Sequence, residues 1–280
     1  MAAESRRLRG IGMSLELLRN RWTYPVLVAL LDGPLRAGQL LKLINEGTAR
    51  NADLVGSRAL HERVLLVTLR QLEEEGLLLR ERVGADPVNG HGPRELTAAG
   101  KELLHSMHRV AAWAAAHRDQ LAADLRNRRG RRQRATGLGG LPIGVPVLSP
   151  EQEHWRGVGM ALAVLRLRWG FAVLCQLSHG PQHPTGVAAA VNAGIARNRD
   201  LTGRRSLSEK VLWDTLHRLI DVGLVIHRPR PGQFASTARC TLTPAGHALL
   251  AALVPVGDWA ADYEGRLLGI VRRRRGLPEG

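Results

Sequence analysis

Apolar residues recur at helical spacing through most of the chain and alternate only in short stretches. Met13–Leu18 and Trp22–Leu31 have helical length and period, and Asp32-Gly33-Pro34 stops the second run. The pattern predicts a third helix over about Arg36–Ile44, followed by the polar stretch Asn45–Arg58 as a loop, long for a connection between helices. A fourth helix is predicted from Leu60 to Glu75, because Leu65, Leu69 and Leu72 fall on one face, and Gly76 stands where a left-handed C-cap belongs. Leu77–Val83 reads as a strand, Gly84–Pro93 as a turn-rich tip and Arg94–Thr97 as a return strand. Ala98 to about Leu125 then reads as one long Ala-rich helix.

This pattern occurs twice. Gly12–Gly76 aligns with Gly159–Gly223 at a constant offset of 147, without a gap, and 29 of the 65 positions are identical. Past one deleted residue the offset becomes 146, where Leu96, Thr97, Ala99, Gly100 and Trp113 meet Leu242, Thr243, Ala245, Gly246 and Trp259. The chain therefore reads as a tandem duplication. The second copy predicts helices near Gly159–Arg168, Trp169–Ser178, Thr185–Asn192 and Ser208–Val222, a wing from Leu224 to Thr243, and a last helix from Pro244 to about Leu268.

Three helices, a two-stranded wing and a further helix form a winged helix-turn-helix, whose recognition helix enters the major groove of duplex DNA. The expected class is mainly α (α+β): two winged helix-turn-helix domains, each with a two-stranded wing and a long C-terminal helix. Repeat 1 spans 1–125 and repeat 2 spans 154–280 with a basic tail. The stretch 126–153 mixes arginines with Gly137, Gly139, Gly140, Pro142, Gly144, Pro146 and Pro150 and reads as a linker.

Charge sharpens the expectation about partners. Forty Lys and Arg stand against 25 Asp and Glu, a net +15, and ten of those positive charges lie in two runs, Arg126–Arg134 and Arg272–Arg275. Such a balance calls for a polyanion. Two cysteines, Cys175 and Cys240, read as structural thiols and support no disulfide framework. The pattern shows no signal peptide and no membrane-length apolar run, so a cytoplasmic, nucleoid-associated protein with no membrane partner is expected.

Enzymatic signatures are missing from the sequence. Gly137–Gly140 follows no strand and precedes no Gly-Lys-Ser/Thr, and no Gly-x-Ser-x-Gly elbow occurs, so neither catalysis nor a cofactor is expected. His105 and His108 are three apart on a helix but bring no Cys-x-x-Cys or His-Glu-x-x-His with them, so no metal is expected.

Several motifs in order resemble the HxlR-type winged-helix transcriptional regulators. They are Arg21-Trp22, Gly33-Pro34, Leu72-Glu73-Glu74-Glu75-Gly76-Leu77, Leu96-Thr97-Ala98-Ala99-Gly100 and Trp113. The second copy supplies Arg168-Trp169, Gly180-Pro181, Leu219-Ile220-Asp221-Val222-Gly223-Leu224, Leu242-Thr243-Pro244-Ala245-Gly246 and Trp259. Members of that family typically dimerise through their first and last helices. The resemblance thus implies an intramolecular pseudo-dimer of the two repeats, with the whole chain a monomer or a homodimer. The N-terminal cysteine of redox-sensing members has no counterpart before Cys175.

Candidate DNA contacts follow from the predicted faces. Opposite the leucines of the fourth helix stand Arg63, Val67, Arg70 and Gln71; the second copy places Lys210, Asp214, His217 and Arg218 there. Arg and Lys read guanine, Gln reads adenine and Asp accepts from cytosine, so the two faces would read different bases and the operator would have two non-identical half-sites. His61 and Ser208 stand at the helix starts, Ser208 as an N-cap. Arg58, Arg204 and Arg205 precede these helices, where a phosphate meets a helix N-terminus and a cation. Arg82 and Arg94, and Arg228, Arg230 and Arg239, lie on or near the wings, as does Arg80. The repeated Ala-Arg-Asn-x-Asp-Leu-x-Gly-x-Arg reads as a structured loop, with a DNA or partner contact by Arg50 and Arg197 as the alternative. Trp22 and Trp169 read as packing residues, and Trp113 and Trp259 as part of the packing between repeats.

Two functions fit. One is a sequence-specific double-stranded DNA-binding transcriptional regulator, with room for a small-molecule effector between the repeats that no polar constellation marks. The other is a winged-helix protein-interaction module with nonspecific DNA affinity from its arginine runs, suggested by Glu73-Glu74-Glu75 and the uncharged Leu66-Val67.

Overall fold

Glycines and threonine caps divide each half of the chain at equivalent places. The structure, a computed structural model, describes residues 2–51, 59–81, 92–136, 149–197, 206–228, 238–274 and 276. The first half contains α1 (Ala2–Leu17), α2 (Thr23–Ala29), α3 (Ala37–Arg50), α4 (Glu62–Glu74), β1 (Leu78–Arg80), β2 (Arg94–Leu96), α5 (Ala98–Ser106), α6 (His108–Ala116) and α7 (Arg118–Thr136). The second contains α8 (Pro150–Leu165), α9 (Gly170–Leu177), α10 (Pro184–Arg197), α11 (Glu209–Asp221), β3 (Val225–Arg228), β4 (Arg239–Leu242), α12 (Pro244–Ala252), α13 (Val254–Asp262) and α14 (Glu264–Arg274). Among the described residues it is a mainly helical fold with two small sheets.

Gly76 and Gly223 end α4 and α11 with φ of 66° and 71°, the left-handed cap that only glycine adopts cheaply. Each antiparallel wing then starts in the same register, Leu78 opposite Leu96 and Val225 opposite Leu242. A third segment joins each by a single bridge, Leu35 to Arg94 and Gln182 to Cys240. Thr97 and Thr243 close the motif: each hydroxyl accepts the N–H of Gly100 or Gly246 at 3.1 Å and donates to the carbonyl of Gly76 or Gly223.

Four departures from the sequence expectation stand out. First, α1 begins at Ala2, well before Met13. Second, α3 and α10 run on to Arg50 and Arg197, into the expected loops. Third, the long Ala-rich helix is three helices, broken at Met107 and His117, with the equivalent breaks at Leu253 and Tyr263. No Gly or Pro marks the breaks at Met107 and His117, whereas Pro255 stands in the first turn after the break at Leu253. The breaks let the terminal helices wrap the other half while Trp113 and Trp259 stay buried. Fourth, the arginine run is helical, since α7 continues to Thr136, and α8 starts at Pro150 behind a Ser149–Gln152 capping box. Arginine is a good helix former. Residues 126–136 and 150–153 of the stretch expected as a linker are therefore helical.

One core runs through both halves. Helix α1 crosses α13, and α8 crosses α6. A Cβ at Gly10 would lie 2.8 Å from Ala260 Cβ and 3.0 Å from the Gly257 carbonyl; one at Gly157 would lie 3.3 Å from Ala114 Cβ. Positions 10 and 157 are related by the offset of 147, and 114 and 260 by 146, so the two crossings are the same contact made reciprocally. Trp113 Nε1 donates to Ala245 O at 3.0 Å, Tyr24 donates to Trp155 O at 2.9 Å and Arg166 donates to Leu18 O at 3.2 Å, all across the halves. Among the described residues no single helix is long and apolar enough to cross a membrane; the apolar pair α8 and α9 is bent by 85° and contributes to the core.

Candidate nucleic-acid interface

The chain presents α4 and α11 by the same device. Asn45 on α3 and Asn192 on α10 each bond both backbone groups of a leucine: the Leu60 and Leu207 N–H at 2.7 and 2.8 Å, and their carbonyls at 3.0 and 3.1 Å. That side-chain clamp ties the entry of α4 to α3 and that of α11 to α10. Leu65, Leu69 and Leu72, and Leu212, Leu216 and Leu219, then anchor the inner faces. Thr68 and Thr215, equivalent positions, bond back to Val64 O and Val211 O.

The outer face of α4 exposes Arg63, Val67 and Arg70, one stripe by helical spacing. Gln71 is half-buried and its side chain bonds Glu75, which ties it down at the C-terminal end. Leu66 and Val67 are 41% and 59% exposed, an apolar patch between two arginines. The outer face of α11 exposes Lys210, Asp214 and His217, with Arg218 half-buried. Trp213 lies beside this face, its ring 5.6 Å from that of His217 and 5.3 Å from that of His227. Ser208 is the N-cap of α11, its hydroxyl accepting the Val211 N–H at 3.5 Å. His61 takes the same backbone position before α4 without a side-chain cap and is exposed.

Arg94 departs from expectation. It is 4% exposed, its Nε donates to Glu73 Oε1 at 3.1 Å and a terminal nitrogen donates to Gly92 O at 2.9 Å. A guanidinium buried on a carboxylate does not face a phosphate; Arg94 holds the base of the wing. Arg80 shares the same carboxylate through Glu73 Oε2. In the second half Arg239 is exposed opposite Arg228 on the wing. Arg58, Arg82, Arg204, Arg205 and Arg230, the side chain of Arg228, and most of the repeated Asn-Asp-Gly motif lie outside the described residues. Arg50 and Arg197, which begin that motif, are exposed at the ends of α3 and α10.

Several residues that sequence reasoning passed over join the halves. Arg274, part of the expected basic tail, reaches back across the fold: its Nε donates to Glu75 Oε1 at 2.8 Å and its Nη1 to Glu16 O at 2.6 Å. Burial nevertheless pushes the Glu75 carboxyl above its usual range, against the pull of Arg274. Burial, with Arg21 nearby, lowers Arg166 to about 10. Burial likewise pushes the Cys175 thiol up to about 12 and the Cys240 thiol up to about 11, as suits structural cysteines. A cavity of about 10 Å³ between Glu75, Trp259 and Tyr263 has room for one water molecule. Among the described residues no group of three or more His, Cys, Asp or Glu side chains is placed to hold a metal ion.

Residues 17–122 match the family model described as HxlR-like helix-turn-helix, a match that takes in α2 to α6 and the first wing. The match covers less than half of the chain, and over these residues the chain is similar to that family. No curated protein and no solved structure matches the chain.

Proposed function

We propose that the chain is a double-stranded DNA-binding transcriptional regulator that reads two unlike half-sites, one with α4 and one with α11. The observation that carries the reading is the pair of exposed faces, set at equivalent positions by equivalent clamps, whose side chains differ: Arg63, Val67 and Arg70 against Lys210, Asp214 and His217. Arg63 and Arg70 fit guanine edges and Val67 with Leu66 fits a thymine methyl; Lys210 fits guanine and Asp214 a cytosine amine. On this reading the chain is a tandem duplication and an intramolecular pseudo-dimer, because each half's first helix packs on the other's penultimate one. Operator symmetry follows protein symmetry, so unlike faces select an imperfect palindrome. The arginines of α7 add salt-sensitive phosphate affinity.

In vitro selection from a random duplex library at physiological salt tests this. A split motif with two different halves is the expected product; a pool with no enriched motif overturns it. The exposed Val64, Leu66 and Val67 favour one competing reading, a protein-docking face with only nonspecific DNA affinity. Under that reading the double substitution Arg63→Ala/Arg70→Ala leaves the selected profile unchanged, whereas direct readout loses its preference in one half-site.

A further inference from the structure

The ions at the contact between the halves break its symmetry in an organised way. Arg6 on α1 pairs with Glu264 at the start of α14, 3.6 Å apart. The equivalent contact on the other side joins Glu153 on α8 to Arg118 at the start of α7, 3.2 Å apart. Position 6 corresponds to 153 by the offset of 147, and 118 to 264 by the offset of 146. The two ion pairs occupy the same place with their charges exchanged.

From this exchange we infer that the two halves are matched to each other as unlike partners, and that their contact opposes pairing of like halves from two chains. The inference rests on the reading of the chain as two equivalent repeats. If two first halves paired through the same helices, Arg6 would face Arg118 twice. If two second halves paired, Glu153 would face Glu264 twice. Only the unlike pairing places opposite charges at both contacts, the logic by which charged flanking positions select partners in helical assemblies.

Other polar contacts between the halves point the same way. Arg7 donates to Asp258 Oδ1 at 2.7 Å, and the position equivalent to 258 in the first half is Ala112. Arg274 rests on Glu75, and the position equivalent to 75 in the second half is Val222. Tyr263 donates to Glu102 Oε2 at 2.8 Å, and the position equivalent to 102 is Ala248. Like pairing of first halves leaves Arg7 without its acid; like pairing of second halves sets Arg274 against an apolar side chain and takes the acceptor from Tyr263. Arg118 adds a local argument. As the first residue of α7 its charge opposes the helix dipole, which Asp119 in the same turn favours, and Arg118 is paired with Glu153 of the other half. For function, the outcome is one recognition face of each kind per assembly.

The full chain tests this by charge exchange, read as mass in sedimentation velocity and as melting midpoint. Arg118→Glu/Glu264→Arg sets like charges against each other in the unlike pairing and opposite charges in the like pairing. Adding Arg6→Glu/Glu153→Arg restores attraction between unlike halves. The wild type is expected to sediment as single chains. The double variant should form chain dimers and melt about 2–4 °C lower; the quadruple variant should regain the wild-type mass and midpoint. Raising salt to roughly 1 M, where the screening length is about 3 Å, should erase the differences. A double variant that remains a single chain with an unchanged midpoint overturns the inference, as does a quadruple variant that fails to recover. No DNA enters this measurement, so its failure leaves the operator reading standing, and a failed selection leaves the pairing standing.

Discussion

At the base of the first wing a carboxylate holds two guanidiniums, Glu73 with Arg80 and Arg94; at the base of the second the same three positions are Ile220, His227 and Cys240. The backbone beneath is the same. Leu35 and Arg94 exchange N–H···O bonds of 3.0 and 2.9 Å, and Gln182 and Cys240 exchange equivalents of 3.0 and 2.8 Å. The difference teaches that the wing is specified by its backbone ladder, its glycine cap and its threonine latch, while the filling beneath is interchangeable as a set. A buried ion pair exchanged whole for apolar groups of similar volume costs little, whereas removing one partner strands a charge. The outer faces of α4 and α11 diverge under a different rule, since solvent imposes no packing on them.

The largest effect that would break this comparison is at Glu73. Glu73→Ala takes the carboxylate from a guanidinium that is 4% exposed and should cost about 3 kcal/mol in urea unfolding. The triple exchange Glu73→Ile/Arg80→His/Arg94→Cys, which installs the second half's set, should recover most of it. If the triple variant is as unstable as the single one, the sets are not interchangeable.

Next come the recognition faces. Arg63→Ala or Arg70→Ala should cost about 1–3 kcal/mol of discrimination in one half-site of the selected motif and leave the other intact, while Asp214→Ala should do the reverse. Loss in both half-sites from one substitution would mean that the faces do not read independently. The helix crossings should respond to a smaller degree. Gly10→Ala meets Ala260 Cβ and a backbone carbonyl and should destabilise by about 1–2 kcal/mol. Gly157→Ala has 3.3 Å to its neighbour and gains helix propensity of roughly 1 kcal/mol, so its thermal midpoint should be unchanged or higher. Ser208→Ala should cost about 0.5 kcal/mol through its long cap bond, and His61→Ala almost nothing in the same assay.

The smallest expected effect is electrostatic. Burial, and then the neighbouring His108 ring at 4.7 Å, hold His154 below the usual histidine value. With the folded value depressed, the unfolded chain binds the proton more readily. The stabilising contribution is therefore whole above about pH 6.5 and lost as pH falls through the folded value. His154→Asn should flatten that part of the midpoint-against-pH curve; an unchanged slope would place the titration elsewhere.

Much of the fold is legible in the residues themselves. Leucine spacing marks α4 and α11, Gly76 and Gly223 mark their ends, and Leu-Thr-x-x-Gly marks the wing's return and the next helix, since each signal is local. The exposed stripes followed from the same spacing. Arg94 was misplaced because alternation along a three-residue strand cannot tell an outward cation from one folded under onto Glu73, 21 residues earlier. Arg274 was misplaced for a similar reason: a run of arginines looks solvated until Glu75 and the end of α1 are brought to it.

By itself the sequence determined that one helix-and-wing pattern recurs at a constant offset, where α4 and α11 start and stop, and that their outer faces differ. These are properties of short windows and of one offset, which neighbouring residues settle through hydrogen bonding and side-chain period. Only the tertiary structure decided that the long terminal helices break at Met107 and His117, that Gly10 and Gly157 let α1 and α8 cross the other half, and that Arg6 and Glu153 meet opposite charges there. Those outcomes depend on residues from 35 to 258 positions apart, and close packing and charge act on distance in space rather than on distance along the chain.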